Sequence, residues 1–363
     1  MTSIAYDPYN PHPRPARRLA PKFLLLASLL ITGGAVAGVV FLPAEVSEEA
    51  HHTAVRGVSD LVYPAALVAH VSQPGESQWL LPAAVVTVDD TTFVLDTGNN
   101  RILKLDVDGR LVAKFDSATD SRLGLRQAVA MATDGRKLFV VDSSAPMVLV
   151  VGTSGRVEKA IPLPSVALAD KPLRPIGIAV SPDGKIAVSD ANNHRVLLLD
   201  GEGRLLKAVG IGARAGGTEG FNVPGNLALD GAGNIYVVDI LNGRVVQLSP
   251  DGDVIRQFGQ LGDTAGMLAR PKGVAVDAAG RVFVSDGLKA AIEVFSPAGT
   301  YLGAVGRRDP DDPAAGSLFV APAGLWLSGD RLQVADRFAG LVTLKVPGPV
   351  QQAKAATTPA ASH

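Results

Sequence analysis

Residues 175–210 read PIGIAVSPDGKIAVSDANNHRVLLLDGEGRLLKAVG. Four apolar runs are separated here by three turn signals. Ile176 to Val180 is followed by Ser181-Pro182-Asp183-Gly184. Lys185 to Ser189 is followed by Asp190-Ala191-Asn192-Asn193-His194. Arg195 to Leu199 is followed by Asp200-Gly201-Glu202-Gly203, and Arg204 to Val209 closes the unit. Runs this short, rich in Val, Ile and Leu and bounded by Gly, Asp and Asn, are expected to form antiparallel strands in a meander.

The rest of the chain repeats the unit. Its second strand ends in an aspartate at Asp96, Asp142, Asp190, Asp239, Asp286 and Asp336, with gaps of 46, 48, 49, 47 and 50 residues. The surrounding text is parallel in all six: TTFVLDTGNNRILKL, KLFVVDSSAPMVLVV, KIAVSDANNHRVLLL, NIYVVDILNGRVVQL, RVFVSDGLKAAIEVF and RLQVADRFAGLVTLK. A Pro, or Pro-x-Gly, opens the first strand at Pro82, Pro175/Gly177, Pro224, Pro271/Gly273 and Pro322/Gly324. The second copy has lost this mark at Arg126-Gln127-Ala128. Six copies of four strands, with no 3.6-residue period after residue 60, predict an all-β, six-bladed β-propeller.

The sixth copy has three strands, ending at Val346, before a low-complexity tail over 347–363. Ala66 to Val71 resembles the fourth strands Arg110 to Phe115, Arg204 to Val209 and Thr300 to Val305. The N-terminal segment is therefore expected to complete the last blade and close the ring, so the domain spans 61–346. Closure removes exposed sheet edges and ties the ends of a quasi-linear array together.

The pattern Pro-x-Gly, an Asp/Gly turn, a strand ending in Asp and then x-x-Asn-x-Arg resembles the NHL repeat. Asp96/Asn99/Arg101, Asp190/Asn193/Arg195 and Asp239/Asn242/Arg244 carry the whole turn motif, and the other three copies keep the aspartate. The resemblance covers roughly 62–346 and implies a propeller fold. It says little about activity, because propellers host many functions. The repeated residues read as structural. The aspartate would accept N–H bonds from the turn after it. The asparagine would take the left-handed backbone conformation, and the arginine would reach back to the carboxylate. A catalytic group is not expected six times by symmetry.

Ahead of the propeller, residues 1–22 are polar and proline-rich and read as a disordered cytoplasmic tail. Phe23 to Leu42 is a stretch of 20 residues without a charge. As a helix it would span about 30 Å, the thickness of a bilayer core. Arg14, Arg17, Arg18 and Lys22 precede it, and Glu45, Glu48 and Glu49 follow it. This asymmetry predicts a single-pass anchor, with the N-terminus cytoplasmic, residues 43–60 as a linker and the propeller extracytoplasmic. The alternative is a signal peptide cleaved near Ala37, within the small-residue pattern Ala35-Val36-Ala37.

The formal net charge is −1, which gives no reason to expect a nucleic-acid partner. The chain has no cysteine, so disulfides, thiolate metal sites and a catalytic thiol are excluded. Of the six histidines only His70 and His194 fall in the propeller, too few for the histidine-held metal of the amidating-lyase propellers. A lactonase-like calcium site would need convergent acidic groups at the channel, and none is identifiable. Asp309, Asp311 and Asp312 in the last long loop read as solvated charges. No cofactor or metal site is expected.

The connections 73–81, 116–126, 162–174, 211–222, 259–270 and 306–320 share a face with the six aspartates. Long loops on a rigid scaffold are the usual place for binding. Arg126, Arg174 and Arg270 precede first strands on that face and form a candidate anion-attracting rim. The leading expectation is a membrane-tethered, non-catalytic binding or scaffold module for a protein of the cell envelope or a carbohydrate-like ligand. The alternatives are a metal-dependent propeller enzyme of lyase or lactonase type, and a sensor that signals through a separate partner.

Overall fold

The computed structural model describes residues 62–73, 75, 78–164, 171–306 and 317–348. The tail 1–22, the candidate span 23–42, the linker 43–60, most of the C-terminal tail and the acidic loop with Asp309, Asp311 and Asp312 lie outside the described residues. Among the described residues no helix is long and apolar enough to cross a membrane.

Six four-stranded antiparallel sheets form in the order expected. Blade three is Pro175–Val180, Ile186–Asp190, Arg195–Leu199 and Leu205–Val209, from inner to outer strand. Lys185 and Arg204, expected in strands, belong instead to the turns. Lys185 N–H donates to the Ser181 hydroxyl at 3.0 Å, and Arg204 N–H donates to Asp200 Oδ1 at 2.9 Å. The inner strands of the other blades are Pro82–Val88, Ala128–Thr133, Pro224–Leu229, Pro271–Val276 and Pro322–Ser328.

Blade six is Pro322–Ser328, Arg331–Asp336 and Gly340–Lys345, and its outer strand is Ala66–Val71. That strand pairs antiparallel with Gly340–Lys345, from Ala66 against Lys345 to Val71 against Leu341. The N-terminal segment makes a second attachment that its strand pattern does not foretell. Tyr63 donates its backbone N–H to the Ala304 carbonyl at 2.8 Å, on the outer strand of blade five. Its ring is 1% exposed and meets Phe283 edge-on at 5.9 Å between centroids. Arg281 Nη1 donates to its hydroxyl at 2.5 Å. One buried aromatic thus wedges the segment between blades five and six, among Ile292, Phe319, Leu332 and Val342.

The apolar core is divided in the same way as the chain. Each adjacent pair of blades encloses its own buried cluster, because each sheet has two faces to cover and a neighbour on either side. The inner strands approach one another closely around the axis, which explains the glycine of Pro-x-Gly. A Cβ on Gly177 would lie 2.2 Å from the Gly225 carbonyl oxygen of the next blade. One on Gly273 would lie 2.1 Å from that of Ala323.

Candidate functional site

The six aspartates are buried, at 0–6% exposure, and each ends the second strand of its blade. Their shared task lies behind the turn rather than in it. Every one accepts a backbone N–H from the connection that enters its own blade. The donors are Leu80 to Asp96, Arg126 and Gln127 to Asp142, Arg174 to Asp190 and Asn222 to Asp239. In the last two blades they are Ala269 and Arg270 to Asp286, and Val320 and Ala321 to Asp336, all at 2.7–3.2 Å. The carboxylate pins the long inter-blade connection to the start of the inner strand.

The other carboxylate oxygen is served in two ways. In blades two, five and six it accepts N–H bonds from the following turn, as expected: Ser144 to Asp142, Leu288 and Lys289 to Asp286, and Phe338 and Ala339 to Asp336. In blades one, three and four, side chains take that place. Asn99, Asn193 and Asn242 donate their amides to Asp96, Asp190 and Asp239 at 2.7–2.8 Å. Arg101, Arg195 and Arg244 donate Nε to the same oxygens at 2.8–3.1 Å. The full motif therefore replaces turn N–H groups with an amide and a guanidinium. The expectation of a left-handed asparagine is corrected: the positive φ falls one residue later, at Asn100, His194 and Gly243. The amide must face the carboxylate, so the left-handed step passes to the next residue. These six sites are structural clamps.

The three rim arginines are all exposed, and among the described residues none has a hydrogen-bond or ion-pair partner for its side chain. They are not equivalent. Inner strands pair Pro175 with Asp190 and Pro271 with Asp286, but Ala128 with Asp142. The hairpin of blade two is one residue shorter. The carbonyls of Arg174 and Arg270 accept the N–H of Ala191 and Gly287, and the corresponding acceptor in blade two is Gln127, bonded to Ser143. Arg126 sits one residue further out than an equal offset from the aspartate implied.

Arg270 is the rim arginine that joins other cations. Lys272, two residues on in the inner strand, is half-buried, and Arg337 follows the clamp Asp336 in blade six. Burial pushes the Lys272 ammonium below the usual lysine range, and the charges of Arg270 and Arg337 push it further in the same direction. No carboxylate among the described residues pairs with any of the three. Arg337 Nε is buried without an acceptor. Arg337 also lines a pocket of about 300 Å³ with Gln73, Gln78, Trp79, Leu80 and Phe338, the last 69% exposed. Across blades five, six and one, the loop-rich face thus presents three cations without an acidic partner among the described residues, beside exposed apolar and aromatic surface.

Lys272 and Arg337 were not among the candidates read from sequence. The signal for Lys272 was available: the middle residue of the Pro-x-Gly mark is Ile176 and Ala323 in blades three and six, and it is charged in blade five. Arg337 had no comparable mark. On the same face, His194 is buried and accepts the Val223 N–H on Nδ1 at 3.1 Å. Burial, then the charges of Lys171 and Arg214, lower its pKa. Asp142 is held below the usual carboxylate range. Burial works to raise it, but hydrogen bonds from Ser144 and from the backbone of Arg126 and Gln127 outweigh burial. Among the described residues no three His, Asp or Glu side chains are grouped to hold a metal ion.

This is a six-bladed β-propeller with four-stranded antiparallel blades. Its residues 173–197, in blade three, match the NHL repeat model. Solved structures with the same fold include a protein of unknown function from Bacteroides thetaiotaomicron. It is 16% identical at a TM-score of 0.58, covering 77% of this chain and 74% of that one. A putative gluconolactonase is 18% identical at a TM-score of 0.55, over 79% and 94% of the two chains. Virginiamycin B lyase from Staphylococcus aureus is 14% identical at a TM-score of 0.51, over 78% and 99%. At these identities the likeness concerns the fold.

Proposed function

We propose that this chain is a non-catalytic binding module whose loop-rich face receives an acidic ligand, a protein or carbohydrate-like molecule presenting carboxylate or sulfate groups. The observation that carries the reading is the group Arg270, Lys272 and Arg337. Three cations stand together at the inner end of blades five and six, two of them, Lys272 and Arg337, half-buried, with no acid from the described residues to offset them. Gathering like charges on a folded surface costs stability, and an anionic ligand removes that cost while gaining charge-assisted hydrogen bonds. The pocket beside Trp79 and Phe338 supplies apolar surface for the body of the ligand. The similar structures include a lyase and a putative gluconolactonase, but among the described residues no feature of this face favours a reaction over binding. Tethering through residues 23–42 belongs to the same proposal.

The test compares the purified full chain with a variant carrying Arg270→Ala, Lys272→Ala and Arg337→Ala. Melting shifts are read with sulfated and carboxylated oligosaccharides, and retention of cell-envelope proteins is read in pull-downs. Binding should weaken with added salt and be lost in the triple variant. A ligand held equally by both proteins sinks the cationic reading. Membrane fractionation and N-terminal sequencing test the anchor: a mature chain beginning near Gly38 removes it.

A further inference from the structure

The propeller axis holds a second candidate site at the opposite end from the cationic rim. The inner strands and their hairpins enclose a cavity of about 860 Å³, within the range of small-molecule sites. Its wall is apolar, from Val85, Met131, Ile178, Leu227, Val274 and Leu325 of the six blades. Trp326 of blade six lines the cavity with them.

The charges at the cavity have one prevailing sign. Its titratable lining residues are Asp134, Asp183, Asp230 and Lys185. Asp230 is committed to the protein: its oxygens accept from the Ala232 and Asn234 N–H groups, the Asn234 amide and the Tyr236 hydroxyl. Asp134 and Asp183 each bind their own turn through Oδ1, Asp134 from the Arg136 and Lys137 N–H groups and Asp183 from the Ser181 hydroxyl. Asp134 Oδ2 accepts no hydrogen bond among the described residues, and the Ser181 hydroxyl, with the Lys185 charge beside it, holds the exposed Asp183 carboxyl below the usual range. An apolar chamber and an excess of carboxylates on its hairpins describe a complementary guest.

We propose that this cavity is a binding site for a small lipophilic cation. Its apolar body lies against the inner strands and Trp326, and its positive group faces Asp134 and Asp183. An anionic amphiphile of the same size is excluded by the same carboxylates. The site is separate from the cationic rim in both position and ligand charge.

The chain has two tryptophans, so Trp79→Phe leaves Trp326 as the sole indole reporter. That protein is titrated with decyltrimethylammonium below its micelle threshold, and in parallel with decyl sulfate. The expected result is a saturable change in Trp326 emission with the cation, at least ten-fold tighter than with the sulfate. Asp134→Asn with Asp183→Asn keeps both turn hydrogen bonds and should weaken cation binding five-fold or more, with melting temperature showing that the variant is folded. Equal affinity for the two amphiphiles overturns the proposal. So does an emission that never saturates, or a cation affinity untouched by the double substitution.

Discussion

Asp190→Ala should destabilise the propeller more than Asp239→Ala, although the two aspartates occupy the same place in neighbouring blades. Both accept an entering N–H, an asparagine amide and an arginine Nε. The difference lies in what each arginine keeps afterwards. Arg244 still donates to the Gly217 and Gly220 carbonyls and to Gln257. Arg195 is 3% exposed, donates only to Asp190 among the described residues, and already has an unpartnered Nη2. Removing Asp190 therefore leaves a buried guanidinium with no acceptor among the described residues. Breaking a buried pair on one side costs about 3–5 kcal/mol. With about 2.1 cal/mol/K of unfolding entropy per residue over roughly 280 residues, that is a fall of ~5–8 °C in melting temperature. Asp239→Ala should lose less by about 1–3 kcal/mol, the cost of orphaning a charged donor. Changing Arg195→Met in the Asp190→Ala background should recover part of the loss, because the uncompensated charge goes with it. Calorimetric or near-UV circular-dichroism melts decide it. Equal or greater damage from Asp239→Ala, or no recovery in the double variant, refutes the reasoning.

Tyr63→Ala should cost about 3–5 kcal/mol through the cavity it leaves between blades five and six, and Tyr63→Phe about 1–3 kcal/mol through the lost Arg281 bond, read by denaturant melts; a neutral Tyr63→Ala would mean that this segment does not hold the ring closed. His194 is held neutral when folded, with its pKa lowered below the unfolded value, so the unfolded chain binds more protons just below about pH 6.5. Stability should therefore fall as pH drops through that window, and His194→Asn, which places in blade three the residue found at Asn100 in blade one, should flatten the fall. An unaltered pH slope in that variant would remove His194 from the account. Gly273→Ala should destabilise by driving a methyl group into the Ala323 carbonyl, whereas Gly184→Ala meets nothing within 4 Å and bears only the strain of its positive φ; a larger melting loss at Gly184 would contradict the close inner packing.

The two ends of the channel differ in charge for a reason rooted in blade geometry. Inner hairpins repeat Asp-containing turns such as Asp134-Gly135, Asp183-Gly184 and Asp230-Gly231, where Asp134 and Asp230 cap backbone N–H groups and Asp183 accepts from the Ser181 hydroxyl. On the opposite face the equivalent carboxylates are buried as clamps and spent on the connections. What stands exposed there at blades two, three and five is Arg126, Arg174 and Arg270.

Period alone carried the architecture. Six aspartates spaced 46–50 residues apart, each behind an apolar run, admit few arrangements other than a ring of sheets, and the unmatched strand at Ala66–Val71 has one place to go. Strand alternation and turn chemistry act over a few residues, so they are legible in a linear text. The partners of each aspartate were not, because the donors lie about 16 residues upstream, across a connection with no pattern of its own. Nor was the offset of Arg126, which follows from a hairpin shortened by one residue and from a register that only pairing reveals. Lys272 acquires its meaning from Arg337, 65 residues away in the sequence and in another blade. Charge proximity and cavity lining depend on distances between blades, and those are set when the ring closes, not by any local run of residues.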